Sequence, residues 1–322
     1  MFDSLPGLVD IVQARVRLHG ILTHTPVLPV ALAAGDGMSL WVKCENLQRT
    51  GSFKIRGAYN CIARLDAPAR AHGVVAYSSG NHAQGVACAA ALLGVPATVV
   101  MPENAVGAKV AATRAYGAEI LFAGTDSETR RRYAEDLAQT RGAALVPPYD
   151  HADVIAGQGT LGLEILEALP GVQQVLVPIG GGGLISGVAI AIKALRPDVR
   201  VIGVEPEGAA DAGASWREHR IVELEHVATI ADGLRAHRIG ALPFAAIRQY
   251  VDDVHAVPDS AILQAAALLL QRLHLVAEPS GAVTLAAAQA GSWRGQTVAV
   301  ISGGNIDTGL LSRMVDATRE LS

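Results

Sequence analysis

Aromatic side chains are scarce at 4% of the chain, charged residues make up only 17%, and there are three cysteines in 322 residues. Cys44, Cys61 and Cys88 are odd in number and lack CxxC spacing. That argues against a disulfide framework or a zinc site and fits a reducing cytoplasm. The formal net charge is −4, and no long Lys/Arg run is present. The short triplet Arg130-Arg131-Arg132 sits among Asp126, Glu128, Glu135 and Asp136 and reads as a solvated helix face. A nucleic-acid or membrane-surface footprint is therefore not expected. Apolar stretches such as residues 86–95 fall short of the ~20 residues that a membrane span needs. The opening Met1-Phe2-Asp3-Ser4 has no basic segment followed by an apolar one, so no signal peptide is expected and the cytoplasm is the expected location. No Pro/Gly/Ser-rich linker, internal repeat or low-complexity tract interrupts the chain.

Half of the residues are hydrophobic, ample material for a core. At this length one large or two medium domains are expected, because single cores stop growing near ~250–300 residues. Short β-branched runs alternate with Ala-rich helical stretches. Strands are expected at 40–43, 74–77, 97–101, 119–122, 174–178, 200–204 and 297–301. Helices are expected at 82–93 and near 106–116, and another opens at Thr125-Asp126 as N-cap residues. The strands are almost wholly apolar, as in parallel sheets covered on both faces by helices. The fold class is α/β with two open parallel sheets, one formed by residues 73–148 and the other by residues from 150 onward. The final helix is expected at 308–321.

Four segments could do chemistry. Gly180, Gly181, Gly182 and Gly183 follow a strand and open a helix at Leu184. Such a junction presents unpaired backbone N–H groups at a helix N-terminus and suits phosphate. The other reading is a flexible turn. Thr50-Gly51-Ser52-Phe53-Lys54-Ile55-Arg56-Gly57 puts a lysine at a helix start, a poor place for an ordinary cation. A neutral amine there suits Schiff-base chemistry, although a surface lysine is the commoner case. Ser78-Ser79-Gly80-Asn81-His82 lies between strand and helix and would fit a carboxylate or simply cap the helix. Ser302-Gly303-Gly304-Asn305 ends the last strand, as part of a site or as a plain turn. In open α/β sheets ligands bind at the carboxyl ends of strands, where three of these segments lie.

Together these segments resemble the threonine dehydratase and serine racemase group of fold-type II pyridoxal-phosphate enzymes, the group that includes the tryptophan synthase β-like fold. The resemblance runs from His24-Thr25-Pro26-Val27-Leu28 to Ser302-Gly303-Gly304-Asn305. The match over residues 43–58 is highly specific, and Val154-Ile155-Ala156-Gly157-Gln158-Gly159-Thr160 adds to it. It implies pyridoxal 5′-phosphate in the cleft between two domains. The larger would comprise residues 1–70 and 149–322, and the smaller, mobile one residues 71–148, with no C-terminal regulatory domain. By the same resemblance Lys54 carries the cofactor as a Schiff base and Phe53 packs by its ring. Asn81 bonds its phenolic oxygen, and Gly180 to Gly183 with Leu184 hold its phosphate. Ser302 faces the pyridine nitrogen, and Glu278 either lines the ring or caps a helix. Ser78, Ser79, Asn81 and His82 would take the substrate carboxylate. Glu205, the carbonyl of Ala209 and Asp211 match a divalent-cation site for Mg²⁺ or Ca²⁺, although a solvated acidic loop is the other reading.

The implied reaction is β-elimination of ammonia from L-threonine or L-serine, giving 2-oxobutanoate or pyruvate. Serine racemase and 3-hydroxyaspartate dehydratase are alternatives within the group: Ser79 matches the serine that supplies the racemases' second acid/base, although dehydratases of the group also carry it. Pro148-Tyr149-Asp150 resembles the Pro-Phe-Asp of bacterial dehydratases, where animal racemases have an asparagine. A non-catalytic amino-acid sensor would have no need of Lys54. The expected partner is a small hydroxy-amino acid, and the group is commonly homo-oligomeric.

Overall fold

A computed structural model describes residues 4–31, 37–291 and 293–318. The opening residues 1–3 and the expected last turn at 319–321 lie outside the described residues. The strands are β1 (Val27–Pro29), β2 (Met38–Cys44), β3 (Val74–Tyr77), β4 (Ala97–Met101), β5 (Glu119–Phe122), β6 (Ala144–Leu145), β7 (Gln174–Pro178), β8 (Arg200–Pro206), β9 (Asp253–Val257) and β10 (Gly295–Ile301). They form two sheets, a six-stranded one in the order β1-β2-β10-β7-β8-β9 and a four-stranded one in the order β5-β4-β3-β6. Every pairing is parallel except β1 with β2.

Side chains alternate across a strand, and both faces are apolar because both are covered. In β10, Ala299 and Ile301 join a core with Leu176, Ile202 and the helices Asp259–Leu273 and Pro279–Ala290. Val298 and Val300 join the opposite core with Val175, Val177 and the helices Ala152–Ala168 and Gly183–Leu195. In the smaller sheet Val74 and Ala76 pack toward the helices Lys54–Ala63 and Asn81–Leu93, and Val75 packs toward Ser127–Arg141. That last helix starts where the sequence places it: Asp126 accepts a hydrogen bond from the Thr129 N–H at 2.8 Å. No helix among the described residues is long and apolar enough to cross a membrane.

Glycines clamp the helix Lys54–Ala63 between its neighbours. A Cβ on Gly157 would lie 2.4 Å from the Arg56 carbonyl oxygen, and one on Gly85 would lie 3.1 Å from the Lys54 carbonyl carbon. Either side chain would push the helix, and Lys54 with it, out of place.

Candidate active site

Lys54 is the first residue of its helix, with Phe53 as the N-cap. The two turns that precede it and that follow β10 are stitched together. Phe53 N–H donates to the Ser302 carbonyl at 3.2 Å, Gly304 N–H donates to the Gly51 carbonyl at 2.9 Å, and Ser52 bridges Gly303. The lysine turn requires left-handed backbone at Thr50 (φ 69°) and Gly51 (φ 71°). Thr50 adopts this conformation against its intrinsic preference, and Asn305 Nδ2 holds its carbonyl at 2.8 Å.

The Lys54 ammonium donates to the Pro148 carbonyl at 2.9 Å and lies 5.1 Å from the centroid of the Phe53 ring. Burial lowers its pKa from 10.5 to about 8. The sequence places the charge at a helix terminus that opposes it, and in the structure the loss of solvent around the amine lowers its pKa. Labelling the cofactor-free chain with an amine-reactive reagent should reveal one lysine whose reactivity is half-maximal near pH 8 and rises above it, as the neutral amine appears. Lys54→Met should remove that lysine from the profile.

The glycine run is a tight cradle. Its helix opens at Gly183, one residue earlier than expected, behind the left-handed Gly182 at φ 91°. A Cβ on Gly181 would come within 2.1 Å of the Tyr149 ring, and one on Gly183 would come within 2.9 Å of Tyr149 Cβ. The loop is fixed from behind by the Gly240 N–H on the Gly181 carbonyl and by Ser186 Oγ on the Gly182 carbonyl. Leu184, next in the helix, is buried. A glycine turn at a helix N-terminus offers backbone N–H groups that suit a phosphate.

Asn81 is held on two sides: its Nδ2 donates to Glu278 and its Oδ1 accepts from Asn305 Nδ2 at 2.8 Å. Glu278 is the backbone N-cap of the helix Pro279–Ala290, but its side chain makes no capping bond and turns to Asn81 instead. Burial, with the Asp232 charge second, raises its pKa to about 8, so it is protonated at neutral pH. Ser302 is buried, and its hydroxyl donates to the Ser280 carbonyl at 3.2 Å. Of residues 78–82, Ser78 Oγ accepts from the Gly80 N–H at 3.2 Å, and Ser79 is exposed. The His82 ring is turned away, with Nε2 2.9 Å from the Val146 carbonyl oxygen. Burial first, and the Lys54 charge second, lower its pKa to about 3. The neutral ring is therefore a packing group, and what His82 offers the loop is its N–H in the first turn of the helix.

At the expected cation site, Glu205 accepts from the N–H groups of Ala212 at 3.0 Å and Gly213 at 2.8 Å. Asp211 Oδ2 is buried without a partner. Burial raises Glu205 to about 7, and burial plus the Glu205 charge raises Asp211 to about 8. Among the described residues no three His, Cys, Asp or Glu side chains cluster to hold a metal. The expected set has only two carboxylates and the Ala209 carbonyl, and the orphaned Asp211 oxygen fits a hard cation.

Sequence reasoning missed the partners that orient these groups. Pro148 and Asn305 lie in segments that the sequence singles out, but the bonds by which the Pro148 carbonyl, Asn305 and the Ser280 carbonyl hold Lys54, Asn81 and Ser302 appear only in the structure. Tyr149 is a motif residue in the sequence, and the structure adds that its ring walls the glycine cradle.

The pyridoxal-phosphate dependent enzyme family matches residues 19–304. A Pseudomonas L-threo-3-hydroxyaspartate ammonia-lyase is 46% identical over 94% of this chain and 97% of its own length. An L-threonine ammonia-lyase of Thermotoga maritima is 45% identical over 96% of this chain and 78% of its own. Maize serine racemase superposes with a TM-score of 0.90 at 38% identity and 99% coverage of both chains. With the lysine turn bonded to the serine turn at the end of β10 and a matching family model over most of the sequence, the chain belongs to the pyridoxal-phosphate dependent enzymes.

Proposed function

We propose that this enzyme is an ammonia-lyase that eliminates the β-hydroxyl of L-threonine or L-serine and releases ammonia with 2-oxobutanoate or pyruvate. Lys54 carries the reading, as a partly buried lysine whose amine pKa is lowered to about 8 and whose ammonium is held by the Pro148 carbonyl. Bound in the cleft, the cofactor would supply the electron sink for loss of the Cα proton. The residues of this chain would do the rest. Gly180 to Gly183 and Leu184 would hold the phosphate, Phe53 would pack on the ring, and Asn81 would bond the phenolic oxygen. The N–H groups and hydroxyls of residues 78–82 would orient the substrate carboxylate. Lys54, its amine neutral near pH 8, would take the proton from Cα. Ser302, a neutral partner for the ring nitrogen, favours prompt elimination over a long-lived carbanion.

Residues 71–148 would form the smaller mobile domain against 1–70 and 149–322. The enzyme would act in the cytoplasm as a homo-oligomer. Three buried, unpaired thiols support the location. Racemisation of serine and elimination from 3-hydroxyaspartate are the second reading, favoured by the exposed Ser79 on the carboxylate loop and by the named relatives. Ammonia and 2-oxo acid release from both threonines, both serines and the 3-hydroxyaspartates, with enantiomer analysis of residual substrate, tests the proposal. Equimolar ammonia and 2-oxo acid from L-threonine and L-serine without inversion supports it. Inversion outpacing keto acid, or turnover confined to hydroxyaspartate, selects the second reading.

Glu205, Asp211 and the Ala209 carbonyl would hold Mg²⁺ or Ca²⁺ as a structural cation. At a concentration of one hundred times Kd, a cation that binds only the folded state stabilises it by about 2.7 kcal/mol. Calorimetry should therefore show a cation-dependent rise in Tm. The rise should grow as pH passes through the range from about 7 to 8, where both carboxyls lose their protons. Asp211→Asn should abolish it.

A further inference from the structure

Two side chains 123 residues apart in sequence meet between residues 78–82 and the glycine cradle. Lys109, on the helix Gly107–Arg114 beside the four-stranded sheet, forms an ion pair with Asp232. Lys109 is mostly enclosed, with 14% of its side chain exposed against 39% for Asp232. Asp232 opens the turn Asp232–Leu234, which lies over the glycine cradle. There Gly233 N–H donates to Ser280 Oγ at 2.8 Å, and Leu234 Cα lies 3.2 Å from where a Cβ on Gly180 would sit. On its other side Lys109 leans on the carboxylate loop, where a Cβ on Gly80 would lie 3.6 Å from Nζ. Gly80 is the N-cap of the helix whose first N–H groups face the same loop.

We propose that Lys109 is a substrate-positioning residue whose ammonium, held beside Gly80 by Asp232, is the cationic part of the α-carboxylate subsite. The proposal rests on reading residues 78–82 as the carboxylate loop. Backbone N–H groups orient a carboxylate but carry only partial charge, and an ammonium beside them adds a charge-assisted donor. A lysine stem is flexible, so a fixed anion is needed to keep the ammonium in one place. Asp232 is that anion, and because it sits on the segment over the phosphate cradle, the pair holds the two anion-binding loops at a set distance. The other acid facing this corner is Glu278, which is protonated at neutral pH and does not compete with the incoming carboxylate.

The test titrates the cofactor-loaded enzyme with L-alanine, which has the carboxylate but no hydroxyl to lose, and with L-alaninamide, while following cofactor absorbance. Lys109→Met should weaken L-alanine by about 10- to 100-fold and leave L-alaninamide within about 3-fold, the loss expected for one charge-assisted hydrogen bond. Lys109→Arg, which keeps the charge, should restore most of the L-alanine affinity, and the absorbance before ligand addition should be unchanged. Asp232→Asn keeps the ammonium but frees it. It should weaken L-alanine by about 3- to 10-fold with the amide again spared, and it gives the answer if the methionine variant does not fold. Equal weakening of both ligands, or no weakening in any variant, overturns the proposal. A wild-type enzyme that binds the acid no better than the amide also overturns it. An enzyme that shows the expected titrations yet releases no ammonia from any hydroxy-amino acid would remove the proposed reaction and leave Lys109 in its assigned role.

Discussion

Lys54→Ala should lower ammonia release from L-threonine and L-serine by at least about 10³-fold, because the proposed function makes one residue both the cofactor's covalent anchor and the base at Cα. The amine is suited to both roles because burial brings its pKa to about 8, so that a useful fraction is neutral near physiological pH. The structural cost of the change is small. The ammonium makes a single hydrogen bond, to the Pro148 carbonyl, and the glycines that position its helix are untouched. Thermal unfolding should therefore stay near wild type while the absorbance of the bound cofactor moves to that of an unlinked aldehyde. Lys54→Arg separates charge from chemistry: it keeps a cation in place but offers no neutral amine, and should be as inactive as the alanine variant. Activity of either variant within about 10-fold of wild type would remove Lys54 from both roles, because a general base alone contributes 10²–10⁴-fold.

Arg56→Met should destabilise the fold by about 3–5 kcal/mol, the range seen when one partner of a buried ion pair is removed. Arg56 is fully buried and spans two carboxylates. It donates to both oxygens of Glu45 at 2.7 and 2.8 Å, to both oxygens of Glu164 at 2.6 and 2.9 Å, and to Thr160 Oγ1 at 3.1 Å. Lys43, also fully buried, completes the group through Glu164 at 2.7 Å. Two cations balance two carboxylates, so removing the guanidinium leaves Glu45 and Glu164 sharing one ammonium inside the protein. Burial alone would push Glu164 up, but Arg56 and Lys43 outweigh it and hold the carboxyl below its ordinary 4.5. A lowered folded-state pKa contributes stability that is full above about 4.5 and lost as pH falls below it. The methionine variant should lose much of this acid-side dependence. Urea unfolding measured from pH 3 to 8 reads both effects, and a loss below about 1 kcal/mol would mean that the network does not carry the stability assigned to it. Arg56 lies two residues from Lys54 on the same helix, so the variant should also bind the cofactor less tightly.

The strands at 74–77, 97–101, 119–122 and 174–178 were legible because parallel strands covered on both faces are apolar throughout, bounded by turns. The glycine run stood out as four glycines between a strand and a helix, whereas Lys54 taken alone reads as a surface lysine and is set apart only by the family resemblance over residues 43–58. The hydrogen-bond partners were not legible. Pro148, Ser280 and Asn305 act through a carbonyl or an amide whose neighbours depend on tertiary approach, and nothing in their local sequence marks that. Lys109 sits on a short helix that is mostly exposed, where a lysine is unremarkable; only Asp232, on a distant loop, makes it distinctive. The turn of the His82 ring toward Val146 was equally hidden, since a histidine beside a serine-rich loop reads as a ligand-binding group until its burial is known.

The most direct test of the central claim is borohydride reduction of the enzyme as purified with its cofactor, followed by peptide mapping by mass. The expected result is one phosphopyridoxyl group per chain, on the peptide that contains Lys54. Modification of a different lysine, or a reduced protein whose Lys54 peptide has its unmodified mass, would contradict the account.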